Sequence, residues 1–190
     1  MKLVFATNNQ NKVNEIKSLL GEGIEIVSLK EIGCNEELPE TQETLEGNAL
    51  QKARYVADNY NVNCFADDTG LEVASLNGAP GVYSARYAGE QCAAEDNMTK
   101  ILSELDGKEN REAKFRTIVA LILNGEEHSF EGRVDGSITR SKSGSDGFGY
   151  DPIFKPNGFD ITFSEMSMAE KNAISHRGKA VAELIKFLKQ

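Results

Sequence analysis

No apolar run in this 190-residue chain approaches the roughly 20 residues of a membrane-spanning helix, so no contact with a membrane is expected. The opening KLVFATNN is too short for a signal peptide and no processing pattern follows, which points to the cytoplasm. Cysteine is scarce: Cys34, Cys64 and Cys92 form an odd, scattered set without zinc-ligand or redox-motif spacing, and read as reduced thiols. No basic stripe offsets the formal net charge of −9, which argues against binding a nucleic-acid polymer. A small polyanion stays open, because a nucleotide needs only a few local cations, helix N-termini or a metal. Tryptophan, internal repeats and low-complexity tracts are also absent. No GKS or GKT occurs in the strand–turn–helix at the start, which rules out a Walker A loop there.

What remains is an ordinary globular composition, 39% hydrophobic and 27% charged, with length for one domain or two small lobes sharing a core. Lys2 to Ala6 reads as a strand, TNNQNK as a polar turn, and Val13, Ile16, Leu19 and Leu20 as one helix face. Ile24 to Leu29 returns as a strand, completing a βαβ unit with a parallel pair. Residues 30–44 read as an acidic loop and Leu45 to Tyr60 as a helix with a small-residue stripe. Val62 to Ala66 is a strand that delivers Asp67 and Asp68, and Leu71 to Leu76 continues it until NGAPG forces a turn. Glu95 to Leu105 is helical, and Lys114 to Leu123 is a strand that ends at the hairpin signal Asn124-Gly125. A return strand, a glycine-rich loop at 141–149 and a final helix carrying Ala180, Val181 and Leu184 complete an α/β protein with a mixed sheet.

Several stretches carry candidate chemistry. Thr7 to Lys12 lies where a strand ends and a helix begins, a natural anion site; Asn8 or Asn9 acting as a plain helix cap is the bland alternative. FADDTG sets two carboxylates side by side at an expected strand end, which suits a hard cation such as magnesium. An Asp-rich turn would use the same residues. An aspartic protease would also carry Asp-Thr-Gly, but that fold is all β and the helices here oppose it. In GSDGFGYDPIF, Phe148 offers a ring to stack on a base and Asp151 an acid to hold a metal or orient a polar group; a mobile loop running into a strand is the bland alternative. EKNAISHRG brings Lys171, His176 and Arg177 just ahead of the last helix, either as ligands or as a solvated helix start. Glu40, Glu43 and Lys52 read by default as surface charges.

Taken in order, FATNNQNKVNEI, GNALQKA, FADDTGLEV, PGVYSARYAG, GFGYDPIF and EKNAISHRG resemble the inosine/xanthosine triphosphate pyrophosphatases over residues 4–178. The resemblance implies a single domain over residues 1–190, with a long central mixed β-sheet and flanking helices forming two lobes around a nucleotide-binding cleft. It also implies a homodimer that cleaves ITP, dITP and XTP between the α and β phosphates. Asp68 would be the catalytic acid or base, with Glu40 and Asp68 on Mg2+ and Asp67 behind them. Thr7, Asn8, Asn9, Gln10, Asn11 and Lys12 would hold the triphosphate, with Lys52 a further phosphate contact. Thr69 would touch substrate where many relatives carry serine. Phe148, Gly149, Tyr150 and Asp151 would hold base and ribose, Lys171 the nucleotide, and His176 with Arg177 the purine edge. Asn8 stands where the family often has glycine, and asparagine tolerates the left-handed backbone.

Overall fold

The computed structural model describes residues 1–20 and 23–190. It is a mixed α/β fold in which β1 (Lys2–Phe5), α1 (Gln10–Leu19) and β2 (Glu25–Ser28) form the expected βαβ unit. β1 pairs in parallel with β2, Lys2 opposite Glu25, and with β3 (Cys64–Val73), Val4 opposite Cys64. α2 occupies Leu45–Tyr60, β4 Pro80–Gly81 and α3 Ala94–Glu104. β5 (Glu112–Leu123) and β6 (Glu126–Ile138) form a hairpin whose turn residues Asn124 and Gly125 both have positive φ, 54° and 83°, as a type I′ turn requires. β7 (Phe154–Pro156), α4 (Met168–Ile174) and α5 (His176–Leu188) follow. Among the described residues the strand order is β2-β1-β3-β5-β6-β7, with β4 antiparallel on β3.

The chain divides into two compact units, each discontinuous in sequence. The first holds residues 1–68, 117–132 and 177–190. Its core joins Leu3, Phe5 and Phe65 of the strands to Ile16 of α1 and Ala180, Val181 and Leu184 of α5. The Phe5 and Phe65 rings lie parallel, centroids 4.6 Å apart. The second unit holds residues 69–116 and 133–176 and buries Leu71, Ile101, Phe115, Tyr150, Phe154 and Phe163 together.

Three expectations change. β3 does not stop before the acids; it runs unbroken through FADDTGLEV, so Asp67 and Asp68 lie inside a strand. What stops is its parallel neighbour: β1 ends at Phe5, opposite Phe65, so its ladder with β3 ends just before the acids. The stretch after Val73 is a 3-10 turn at Ala74–Leu76 rather than strand. The segment before the last helix is itself helical, since Lys171 belongs to α4 and only Ser175, in extended backbone, separates it from α5.

Candidate active site

β-strand alternation sends successive side chains to opposite faces. Phe65 and Asp67 share the face packed by α1 and α5, where Asp67 meets Lys12 and Arg177. Cys64 and Asp68 share the other face, towards α2: Cys64 Sγ donates to the Ala53 carbonyl at 3.2 Å, and Asp68 Oδ1 lies 3.7 Å from Lys52 Nζ. Neighbours in sequence therefore enter different electrostatic environments.

On the first face, Lys12 Nζ donates to Asp67 Oδ1 at 3.0 Å and Arg177 Nε to Asp67 Oδ2 at 3.1 Å. Arg177 Nη1 also donates to Glu15 Oε2. Burial alone would raise the Asp67 pKa, but Lys12, Arg177 and Lys52 outweigh it and hold this carboxyl well below the usual range. Burial in turn lowers the Lys12 pKa, only partly opposed by Asp67. Glu15 was not anticipated from the sequence. The signal was there: Lys12, Glu15, Ile16 and Leu19 fall three and four apart, which puts an acid on the buried stripe of α1.

On the second face, Lys52 is not the solvated charge its sequence context suggests. Its side chain is 6% exposed, and Nζ donates to Glu40 Oε1 at 2.5 Å and to the Asp67 carbonyl at 2.8 Å. Asp68, Glu40 and Asp67 outweigh the penalty of burial and raise the Lys52 pKa. For Asp68 the balance reverses: burial dominates, Lys52 and Lys12 offset it only in part, and the pKa rises. Asp68 Oδ2 is buried with no hydrogen-bond partner among the described residues.

No three His, Cys, Asp or Glu side chains converge as a metal cage among the described residues. Magnesium does not need one, since it commonly takes one or two carboxylates and completes its shell with water and phosphate oxygens. Glu40, half-buried, and Asp68, with an orphan buried oxygen, both near Lys52, fit that requirement.

Of the Thr7–Lys12 stretch, Asn9 caps α1, its side chain accepting from the N–H groups of Asn11 and Lys12. Thr7 Oγ1 accepts from Asn9 N–H at 3.1 Å, Asn8 Nδ2 donates to the Glu36 carbonyl at 3.4 Å, and Gln10 Nε2 donates to Asn14.

The second unit assembles the remaining candidates. Asp151 Oδ2 accepts from Lys171 Nζ at 2.7 Å and from Phe148 N–H at 2.9 Å. The Lys171 ammonium lies 4.8 Å from the Phe148 ring centroid and 5.7 Å from that of Phe163. The loop closes this tightly because residue 147 is glycine: its φ is +77°, and a Cβ there would meet Asp151 Oδ2 at 2.3 Å. Gly149 also adopts positive φ. His176 is buried and stacks on Phe115, centroids 4.5 Å apart and planes within 15°. Tyr150 is a core residue whose hydroxyl donates to the Ser84 carbonyl at 2.6 Å. Thr69, half-buried, opens this unit. Lys171, His176 and Arg177 are all buried, so the bland picture of a solvated helix start does not hold.

The Ham1 family profile matches residues 3–187. A dITP/XTP pyrophosphatase of Flavobacterium psychrophilum is 57% identical over 189 residues, covering all of both chains. A dITP/XTP pyrophosphatase of Porphyromonas gingivalis is 54% identical over 188 residues, covering 98% of this chain and 97% of its own. Among solved structures, the Ham1 protein of Staphylococcus aureus superposes with a TM-score of 0.90 at 39% identity, covering 100% of this chain and 98% of its own.

Proposed function

Because the chain belongs to the Ham1 family, we propose that it hydrolyses ITP, dITP and XTP between the α and β phosphates, giving the monophosphate and pyrophosphate. The observation that carries this reading into chemistry is the split pair in β3: Asp67 held ionised by Lys12, Arg177 and Lys52, Asp68 raised in pKa with one oxygen unpartnered among the described residues. Pairs of acids driven apart by their surroundings mark acid–base assignments.

Asp68 is the base that orients the attacking water and takes its proton, because it combines a raised pKa with an oxygen that has no donor among the described residues. Glu40 and Asp68 would hold Mg2+, which supplies charge neutralisation of the phosphate oxygens. Lys12, with its pKa lowered by burial, and the polar residues Thr7 to Asn11 at the start of α1 take the triphosphate, and Lys52 is a further phosphate contact. Asp67 and Arg177 keep Lys12 in place. Thr69 keeps its substrate contact through its hydroxyl.

Base and ribose fall to the second unit's set: Phe148 for stacking, with Gly149 to Asp151 and Lys171 holding the loop around it. His176 is assigned to the purine edge. Inosine and xanthosine present a carbonyl at position 6, whereas adenine presents an amino donor. A pocket offering donors leaves adenine unsatisfied, at about 1–3 kcal/mol per contact. Three cysteines without disulfides suit the cytoplasm, and no described helix is long and apolar enough to cross a membrane. A homodimer is proposed from family membership and is checked by light scattering on the eluting protein.

The deciding experiment is a steady-state assay of pyrophosphate against orthophosphate, with Mg2+ and a panel of ITP, dITP, XTP, GTP, ATP and CTP. Pyrophosphate from the first three, with little from the rest, supports the reading. Orthophosphate as the product overturns the bond assignment, and nucleotide binding without turnover overturns the enzyme.

A further inference from the structure

Residues 33–44 lack regular secondary structure, yet they carry Glu40, whose position must be set to within a fraction of an ångström for any metal role. Hydrogen bonds to α2 take the place of a sheet or helix ladder. Asn48, Gln51, Lys52 and Tyr55 are spaced three and four apart on one face of α2. Asn48 Oδ1 accepts from Gln42 N–H at 2.9 Å. Gln51 Oε1 accepts from Thr41 N–H at 2.9 Å, and Gln51 Nε2 donates to Thr41 Oγ1 at 2.8 Å. Lys52 reaches Glu40 itself. Tyr55 and Tyr60 donate to Glu36 Oε1 at 3.2 and 2.7 Å. Partners 42, 41, 40 and 36 are met in turn as the helix advances, so the segment runs antiparallel along α2.

Asn48 shows that packing alone does not explain the zipper. It is 1% exposed, and its Nδ2 is buried without a hydrogen-bond partner among the described residues. An apolar side chain would avoid that cost. The carboxamide is tolerated for its one bond, to the backbone two residues past Glu40.

We infer that Asn48 and Gln51 are positioning residues, which fix the main chain beside Glu40 and so set where its carboxylate stands. The inference rests on the reading of Glu40 as a metal ligand. It accounts for the GNALQKA stretch, in which only Lys52 otherwise has a role, and it extends to the far end of the segment, where Asn8 Nδ2 donates to the Glu36 carbonyl. A glycine at position 8 has no side chain to make that bond.

The test is Mn2+ binding to the nucleotide-free protein, read by electron paramagnetic resonance, in wild type, Glu40→Gln, Gln51→Leu and the double variant. Gln51→Leu is expected to weaken Mn2+ about tenfold, the usual scale for residues that orient a ligand. It should also lower kcat while leaving KM nearly unchanged. In the Glu40→Gln background the same change should have no further effect on Mn2+. Additive effects, or wild-type Mn2+ affinity in Gln51→Leu, overturn the positioning role. Wild-type affinity in Glu40→Gln overturns instead the reading of Glu40. Gln51→Met, which keeps the length of the side chain while removing both bonds to Thr41, carries the same cycle if Gln51→Leu does not fold.

Discussion

Asp67 and Asp68 are consecutive residues of one strand whose acidities are driven in opposite directions. The cause is geometric. One side chain faces two cations from α1 and α5; the other faces α2, where burial outweighs the ammonium groups of Lys52 and Lys12.

Asp68→Asn removes the proposed base while keeping its shape. Turnover should fall by roughly 10²–10⁴-fold with the substrate constant little changed. Stability should move the other way. With its pKa raised in the fold, Asp68 holds a proton at pH values where the unfolded chain has released it, so stability falls as pH rises through that window. The ionised form of Asp68 is thus less favourable in the fold than in the unfolded chain. The variant should melt a few degrees higher, and wild-type kcat should rise with pH through the raised pKa. Calorimetry and a pH–rate profile check both; wild-type-like turnover in the variant removes Asp68 from catalysis.

Asp67 has the opposite sign. Its folded pKa lies below the unfolded value, so its contribution is present above the unfolded pKa near 3.8 and is lost as pH falls through the folded one. Asp67→Asn leaves Lys12 and Arg177 without their shared carboxylate. Breaking such a buried pair costs about 3–5 kcal/mol. At about 2–4 °C per kcal/mol, Tm should drop by roughly 6–20 °C. The variant should also lose less stability than wild type on acidification, which denaturant titrations at two pH values measure.

Phe148→Ala tests the base site. Loss of one stacked ring costs about 1–3 kcal/mol, so KM for ITP should rise roughly 5- to 150-fold with kcat nearly held. Lys171 keeps its bond to Asp151, so the fold should survive. An unchanged KM takes Phe148 out of base recognition.

Thiol chemistry reports on the first unit's interior. Cys92 is exposed, whereas Cys34 and Cys64 are buried, and burial pushes the Cys64 thiol up to about 12. Native protein should release one fast equivalent with a chromogenic disulfide and the other two only on unfolding. Cys92→Ser should abolish the fast phase; a second fast equivalent would show that Cys34 or Cys64 is reached without global unfolding.

Much of the frame was legible in the chain. Leu45 to Tyr60 was read to its ends because its small-residue stripe keeps a helical period. Asn124-Gly125 marked its turn because both positions need positive φ. A cap at Asn8 or Asn9 followed from residue type, and Asn9 takes it. The acids in β3 defeated local reasoning, since paired Asp residues ahead of Thr-Gly resemble a turn. They stay in a strand because cations at positions 12, 52 and 177 reach them, and no local window contains those partners. Lys52 and Arg177 looked like surface charges for the same reason, and α4 was hidden because its seven residues carry too little periodicity to announce a helix.

The alternation of β3 has a consequence for quality control. Sliding this strand by one residue against β1 would turn every side chain to the opposite face: one direction sets Asp68 before Lys12 and Arg177 and leaves Thr69 in its place, and the other sets Asp67 beside Lys52 and leaves Ala66 in its place. The same slip would expel Phe65 from its stack on Phe5. A mispaired sheet therefore forfeits core and chemistry in a single step.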